Sequence, residues 1–186
     1  MSSCLKLNND MPNKKVIIIL ILIISIFNPG IRTYSENGSG KRLGIYQLRP
    51  FERAVLCIKY YEGFHTKKNY PYIGYGHRLR PGERLNSNIT EKQADSLLRS
   101  DLKRLCVMFR RYGKDSLLLA ALSYNVGPYK VLGNSHHPKS RLLKKIESGN
   151  RNIYHDFVDF CRWKGKKYRS IRKRRQVELI LLFQKE

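Results

Sequence analysis

Apolar positions along this chain fall into one continuous run and several stripes at helical spacing. The run is Val16 to Phe27, inside MPNKKVIIILILIISIFNPG, and Lys14 and Lys15 precede it. A basic pair followed by a short apolar stretch reads as a signal peptide. A membrane span needs about 20 residues, so an uncleaved anchor is the second reading. Thr33-Tyr34-Ser35 has small residues at cleavage offsets but no Ala-x-Ala, and Met11 is a plausible working start. Cys4 precedes the run and so lacks a lipoprotein context. Residues 1–35 are therefore expected to be a signal peptide or N-terminal anchor. The polar, glycine-rich stretch YSENGSGKRLG marks a linker at 36–44.

Beyond the linker the period changes. RPFERAVLCIKYYEG predicts a helix with Pro50 in its first turn, Phe51, Val55, Ile58 and Glu62 on one face, and Gly63 as the stop. NYPYIGYGHRL predicts short strands and turns. ITEKQADSLLRSDLKRLCVMFRRYG predicts a long helix with a Thr90–Gln93 capping box and Ile89 as staple. Its apolar stripe is Ala94, Leu97, Leu98, Leu105 and Met108, and Asp101 falls on that stripe. DSLLLAALSYNVGP is apolar nearly all round, which predicts a buried central helix stopped by Gly127 and Pro128. Further helices are expected near 138–148, 152–163 and 169–184. The pattern is mostly α, with a small β element early in the domain.

Length and composition suit one folded domain, but the net charge of +23 stands out. It bears on partners rather than fold: nucleic acid, anionic lipid or an anionic wall polymer. KGKKYRSIRKRR carries eight basic residues in twelve and no acid. It reads either as a solvated helix face or as a segment drawn to an anionic wall or membrane surface. Export would leave Cys57, Cys106 and Cys161, an odd number that allows at most one internal disulfide. No Cys-x-x-Cys occurs, so a zinc site is not expected. No metal or cofactor is implied.

Among candidate catalytic groups, Glu62 leads. A glutamate ending a helix meets the negative end of the macrodipole, and the edge of an apolar face desolvates it. Both effects favour a carboxyl group that keeps its proton near neutrality, as a glycosidase acid must. Taken alone, a last-turn glutamate is more often an ordinary surface residue.

The surrounding residues sharpen this. EG, then IGYGH, ITEKQADSLLRSDL, ALSYNVG and a terminal RRQVELILLF together resemble the phage-type lysozymes (muramidase endolysins), in that family's order. The resemblance covers most of residues 50–183. It implies an α+β lysozyme-like fold over 45–186: a small N-terminal sheet lobe, a helical lobe and a peptidoglycan cleft between them. It places the catalytic acid on Glu62. It puts Tyr124, Asn125 and Gly127 along the cleft and Tyr75 at the sheet turn near the acid. It also pairs His77 with Asp101. A buried Asp needs a partner, so a structural His77–Asp101 ion pair between the lobes is expected. Such a pair should raise the His pKa and stabilise less as pH rises through it.

One part of the family pattern is missing. The family usually carries an Asp nine residues after the acid and a Thr six later, together holding the attacking water. Here Tyr72 lies ten residues after Glu62, in the Thr position, and no acid occurs between Glu62 and Glu83. An inverting glycosidase needs two carboxyl groups roughly 6.5–9.5 Å apart. Three readings stay open: His65, Thr66 or Tyr72 positions the water; the substrate's own N-acetyl or 6-hydroxyl group is the nucleophile; or the domain only binds glycan. His65 is the local group able to accept a proton, though a solvated loop histidine is the plainer reading. SYNVGP also resembles the Ala-Tyr-Asn-Ala-Gly-Pro of lytic transglycosylases, which supports the second reading.

The sequence thus predicts an exported, monomeric muramidase acting on peptidoglycan in the periplasm or outside the cell. A nucleic-acid-binding protein is the remote rival, weakened by the signal-like run and by the lack of a recognisable nucleic-acid module.

Overall fold

The computed structural model describes residues 44–184, so the expectations for 1–35 and for all of the linker except Gly44 lie outside the described residues. Contacts divide the chain after Gln47, and the first unit contributes only the short 3-10 helix Ile45–Gln47 to the description.

Helix α1, Pro50–Glu62, starts on proline and ends where the Gly63 N–H donates to Lys59 O at 3.0 Å. It buries Ala54, Val55, Cys57 and Ile58, while Phe51 is half-buried. Burial pushes the Cys57 thiol up to about 12, which makes it an inert core group. All three described cysteines are free thiols.

Strands β1, Tyr72–Ile73, and β2, His77–Arg78, form an antiparallel hairpin that pairs Ile73 with His77. Strand alternation puts Ile73 and His77 inside and Tyr72 and Arg78 outside. Ile73, Ile89 and Ala94 make a small core beneath the hairpin. Gly74 must be glycine there: its φ is 56°, and a β-carbon would stand 2.7 Å from Ala94 Cβ.

Helix α2, Glu91–Met108, has the expected capping box, with the Gln93 N–H donating to Thr90 Oγ1 at 3.2 Å. Its buried row is Ala94, Leu98 and Leu102, leading on to Phe109. Leu97 and Leu105 flank that row, and Met108 is exposed, contrary to the stripe expected. The row advances by four residues per step, which carries it past Met108 on the helix surface.

A 3-10 turn, Arg110–Asp115, leads into α3, Ser116–Val126. Leu118, Leu119, Ala120, Ala121 and Leu122 are all buried, which makes α3 the central helix. It packs on α2, on α1 and on the C-terminal helix. Short helices α4 (Tyr129–Leu132), α5 (Arg141–Glu147) and α6 (Tyr154–Val158) follow.

The helix expected over 152–163 stops at Val158. A second antiparallel hairpin follows, β3 (Arg162–Trp163) with β4 (Lys166–Lys167). The cause is the Lys164-Gly165 pair, with φ of 48° and 77°, the two left-handed residues of a tight hairpin turn. Helix α7, Arg169–Leu182, closes the fold against α1 and α3.

Candidate active site

Four segments converge on Glu62. The residue ends α1, and its Oε1 accepts from Arg174 Nη1 on α7 at 2.6 Å and from Asn125 Nδ2 on α3 at 3.3 Å. The β1–β2 turn passes alongside, since a β-carbon on Gly76 would lie 3.5 Å from Glu62 Oε2. The Glu62 side chain keeps 17% of its surface open, so a substrate can reach it.

Behind Glu62 the polar groups close into a ring. Arg174 Nε donates to Glu178 Oε1 at 2.9 Å. The other Glu178 oxygen takes Arg175 Nη1, and Arg175 Nη2 donates to Asn125 Oδ1. Arg175 Nε donates to Phe160 O at 3.2 Å. Arg174, Arg175 and Glu178 are almost fully buried, at 5, 0 and 1% exposure. Two guanidinium groups thus face two carboxyl groups around the ring. Burial pulls the Arg174 guanidinium down, but Glu178 and Glu62 outweigh it and hold it above its ordinary value. Because Arg175 takes Asn125 Oδ1, the amide nitrogen of Asn125 is aimed at Glu62.

This corrects the expected surroundings of Glu62. The sequence suggested an apolar edge, and the structure puts a guanidinium there. Arg174, Arg175 and Glu178 were not identified from the sequence. Their signal was the spacing in RRQVE, with an arginine three and four residues before a glutamate, just ahead of an apolar helix end.

The other candidates divide into three groups. Tyr124 and Tyr75 join Asn125 around the acid, with the Tyr124 hydroxyl donating to Tyr75 O at 2.9 Å. Burial pushes the Tyr124 phenol upward, so it stays a neutral donor. Lys59 Nζ stands 4.9 Å from the Tyr75 ring centroid, and Phe64 meets that ring edge-on. Gly127 lies just beyond α3, its N–H donating to Ser123 O, and does not hydrogen-bond Glu62.

His65 and Tyr72 form a second group at the hairpin edge, their rings edge-on at 6.3 Å. The His65 N–H donates to Gly74 O at 2.7 Å, and its Nδ1 is buried without a partner. Neither side chain hydrogen-bonds Glu62. His77 belongs to a third group. Its Nδ1 is 2.6 Å from Asp101 Oδ2 and its Nε2 is 3.0 Å from Glu83 Oε2, which ties β2 to α2. Both contacts are donated together only by the doubly protonated ring. Among the described residues, no group of three His, Cys, Asp or Glu is arranged to hold a metal ion.

The family model for phage lysozyme matches residues 59–178, a span that takes in Glu62, Asn125 and Glu178. The chain belongs to the phage lysozyme family. Two solved structures share its fold. One is the endolysin from Escherichia coli O157:H7 phage FAHEc1, with a TM-score of 0.56 and 20% identity over 78% of this chain and 95% of that one. The other is the muramidase domain of SpmX from Asticaccaulis excentricus, with a TM-score of 0.55 and 22% identity over 70% of this chain and 95% of that one. At these identities the likeness is one of fold: mostly helical, α+β and lysozyme-like. No curated protein sequence matches. Residues 63–71 join α1 to β1. A 3-10 turn, Lys67–Asn69, lies within them, and the first carboxylate after Glu62 is Glu83. Glu83 is already engaged by His77 and by the Arg80 N–H.

Proposed function

We propose that this phage lysozyme family member is an exported muramidase. It would hydrolyse the β-1,4 bond between N-acetylmuramic acid and N-acetylglucosamine in peptidoglycan, with Glu62 as general acid. Family membership supports peptidoglycan as the substrate class. The observation that carries the residue assignment is the setting of Glu62: partly open, and held by Arg174 at 2.6 Å and Asn125 at 3.3 Å. As Glu62 gives its proton to the leaving oxygen, the carboxylate that forms already faces a fixed guanidinium. A preorganised charge of this kind lowers the barrier without reorganisation during the step.

Asn125 has a second amide hydrogen, which suits an N-acetyl carbonyl. Tyr124 acts through its bond to Tyr75 O, fixing the sheet turn beside the acid. Water would be positioned by His65 or Tyr72 in place of the missing Asp. A lytic transglycosylase-like reaction is the second reading, favoured by the engagement of Glu83 elsewhere. It needs one acid and no held water.

The deciding experiment is mass spectrometry of fragments released from purified peptidoglycan by the wild type and by Glu62→Gln. Reducing muramic ends that vanish in the variant support hydrolysis. Anhydro ends would replace the hydrolase with the transglycosylase reading. Release of no fragments by either protein would leave a wall-binding domain.

A further inference from the structure

The β3–β4 hairpin has a composition that its packing does not require. Trp163 is the chain's single tryptophan and is 55% exposed. Its ring meets Tyr168 edge-on at 5.9 Å, and Tyr168 is itself 38% exposed. Five of the eight residues from Arg162 to Arg169 are cationic, and all five are exposed. Asp159 is the carboxylate that meets them, at 3.4 Å from Arg162 and 3.3 Å from Lys167. Lys164 holds its Nζ 4.6 Å from the Trp163 centroid. It is also the one non-glycine residue with positive φ among the described residues.

We propose that this hairpin docks the protein onto an anionic phospholipid surface. Lysine and arginine are drawn to lipid phosphates, and tryptophan and tyrosine rings settle at the headgroup boundary. A soluble polyglycerol phosphate offers the rings no apolar boundary to enter, whereas a bilayer does, and the exposed aromatic pair therefore favours a bilayer. The inference stands apart from the catalytic reading, because the hairpin's exposed face makes no contact with Glu62.

Trp163 is its own reporter. The full-length protein is mixed with vesicles of phosphatidylcholine alone or of an equimolar mixture with phosphatidylglycerol. The emission should shift to the blue and resist aqueous quencher only with the mixed vesicles, and molar salt should reverse both effects. Reversing charge at Lys166→Glu and Lys167→Glu should weaken partitioning by about tenfold or more. The double variant keeps the apolar run near the N-terminus, so the partitioning it loses belongs to the hairpin. Unchanged emission with the mixed vesicles overturns the proposal. So does an equal shift with soluble polyglycerol phosphate, which would make the ligand a wall polymer. Should the double variant melt early, the wild-type emission still decides.

Discussion

Helices α3 and α7 both reach the centre of the molecule, but by opposite chemistries. Helix α3 fills it with Leu118, Leu119, Ala120, Ala121 and Leu122. Helix α7 brings Val177, Leu179, Leu181 and Leu182, and buries Arg174, Arg175 and Glu178 beside them. An apolar side chain gains simply by leaving water. A buried charge gains only when its partners are in place, and an apolar replacement is often as stable. The two helices therefore have different tasks. The first supplies cohesion. The second gives up some cohesion to hold Asn125 and Glu62 in a fixed geometry.

The largest effect should come where that geometry meets the chemistry. Glu62→Gln should lower turnover on peptidoglycan by about 10²–10⁴-fold, the usual range for losing a general acid. Circular dichroism should show the variant folded. Full activity in this variant would remove Glu62 from the mechanism. Next comes the ring itself. Glu178→Leu leaves Arg174 and Arg175 without their buried partner and should cost about 3–5 kcal/mol in denaturant titration. Joining it with Arg175→Met should recover most of that stability but not activity, since Asn125 would no longer be oriented. Recovery of both would mean that the ring is structural only. On α3, Leu119→Ala should cost about 3 kcal/mol through its cavity while leaving the folded fraction active.

The same contrast explains what could be read in advance. Helix α3 was legible because continuous apolar character has one physical meaning. Helix α1, with Pro50 and Gly63 at its ends, and the Thr90–Gln93 capping box were legible because those signals are local. Asn125 was legible through the resemblance, but Arg174 and Arg175 were not, because KGKKYRSIRKRR looks like a uniformly solvated basic run. The fold divides it. The hairpin lysines stay in water, while Arg174 and Arg175 turn inward because α7 packs that face on α1 and α3. Only the glutamate three and four residues later hinted at it. The second hairpin is hidden for a related reason: among so many cations the Lys164-Gly165 pair signals charge more strongly than a turn.

A smaller effect is expected at the joint between β2 and α2, where His77 is 4% exposed between Asp101 and Glu83. His77→Asn removes two charge-assisted contacts and should cost about 1.5–3 kcal/mol at pH 6. An unchanged melting temperature at that pH would mean the tie adds nothing to cohesion.

The smallest effect tests charge at the surface instead of the centre. Arg99 on α2 bridges Glu52 on α1, at 2.7 and 2.8 Å, and Asp95, at 2.6 Å. The Arg99 hydrogen bonds hold the Glu52 carboxyl below its ordinary value. Burial pushes Asp95 up, but Lys59 and Arg99 outweigh it, so Asp95 is also held low. Depressed carboxylates bind fewer protons folded than unfolded. Their stabilisation is therefore complete above the ordinary carboxylate range, and it is lost as pH falls through the depressed values. The side chains of Glu52 and Arg99 are 39% and 34% exposed, so solvent screening limits the contribution to about 1 kcal/mol or less. Arg99→Met should lower the melting temperature slightly at neutral pH and flatten its decline on the acid side. An acid limb as steep as the wild type's would show that this surface pairing, unlike the buried ring on α7, makes no measurable contribution to the fold.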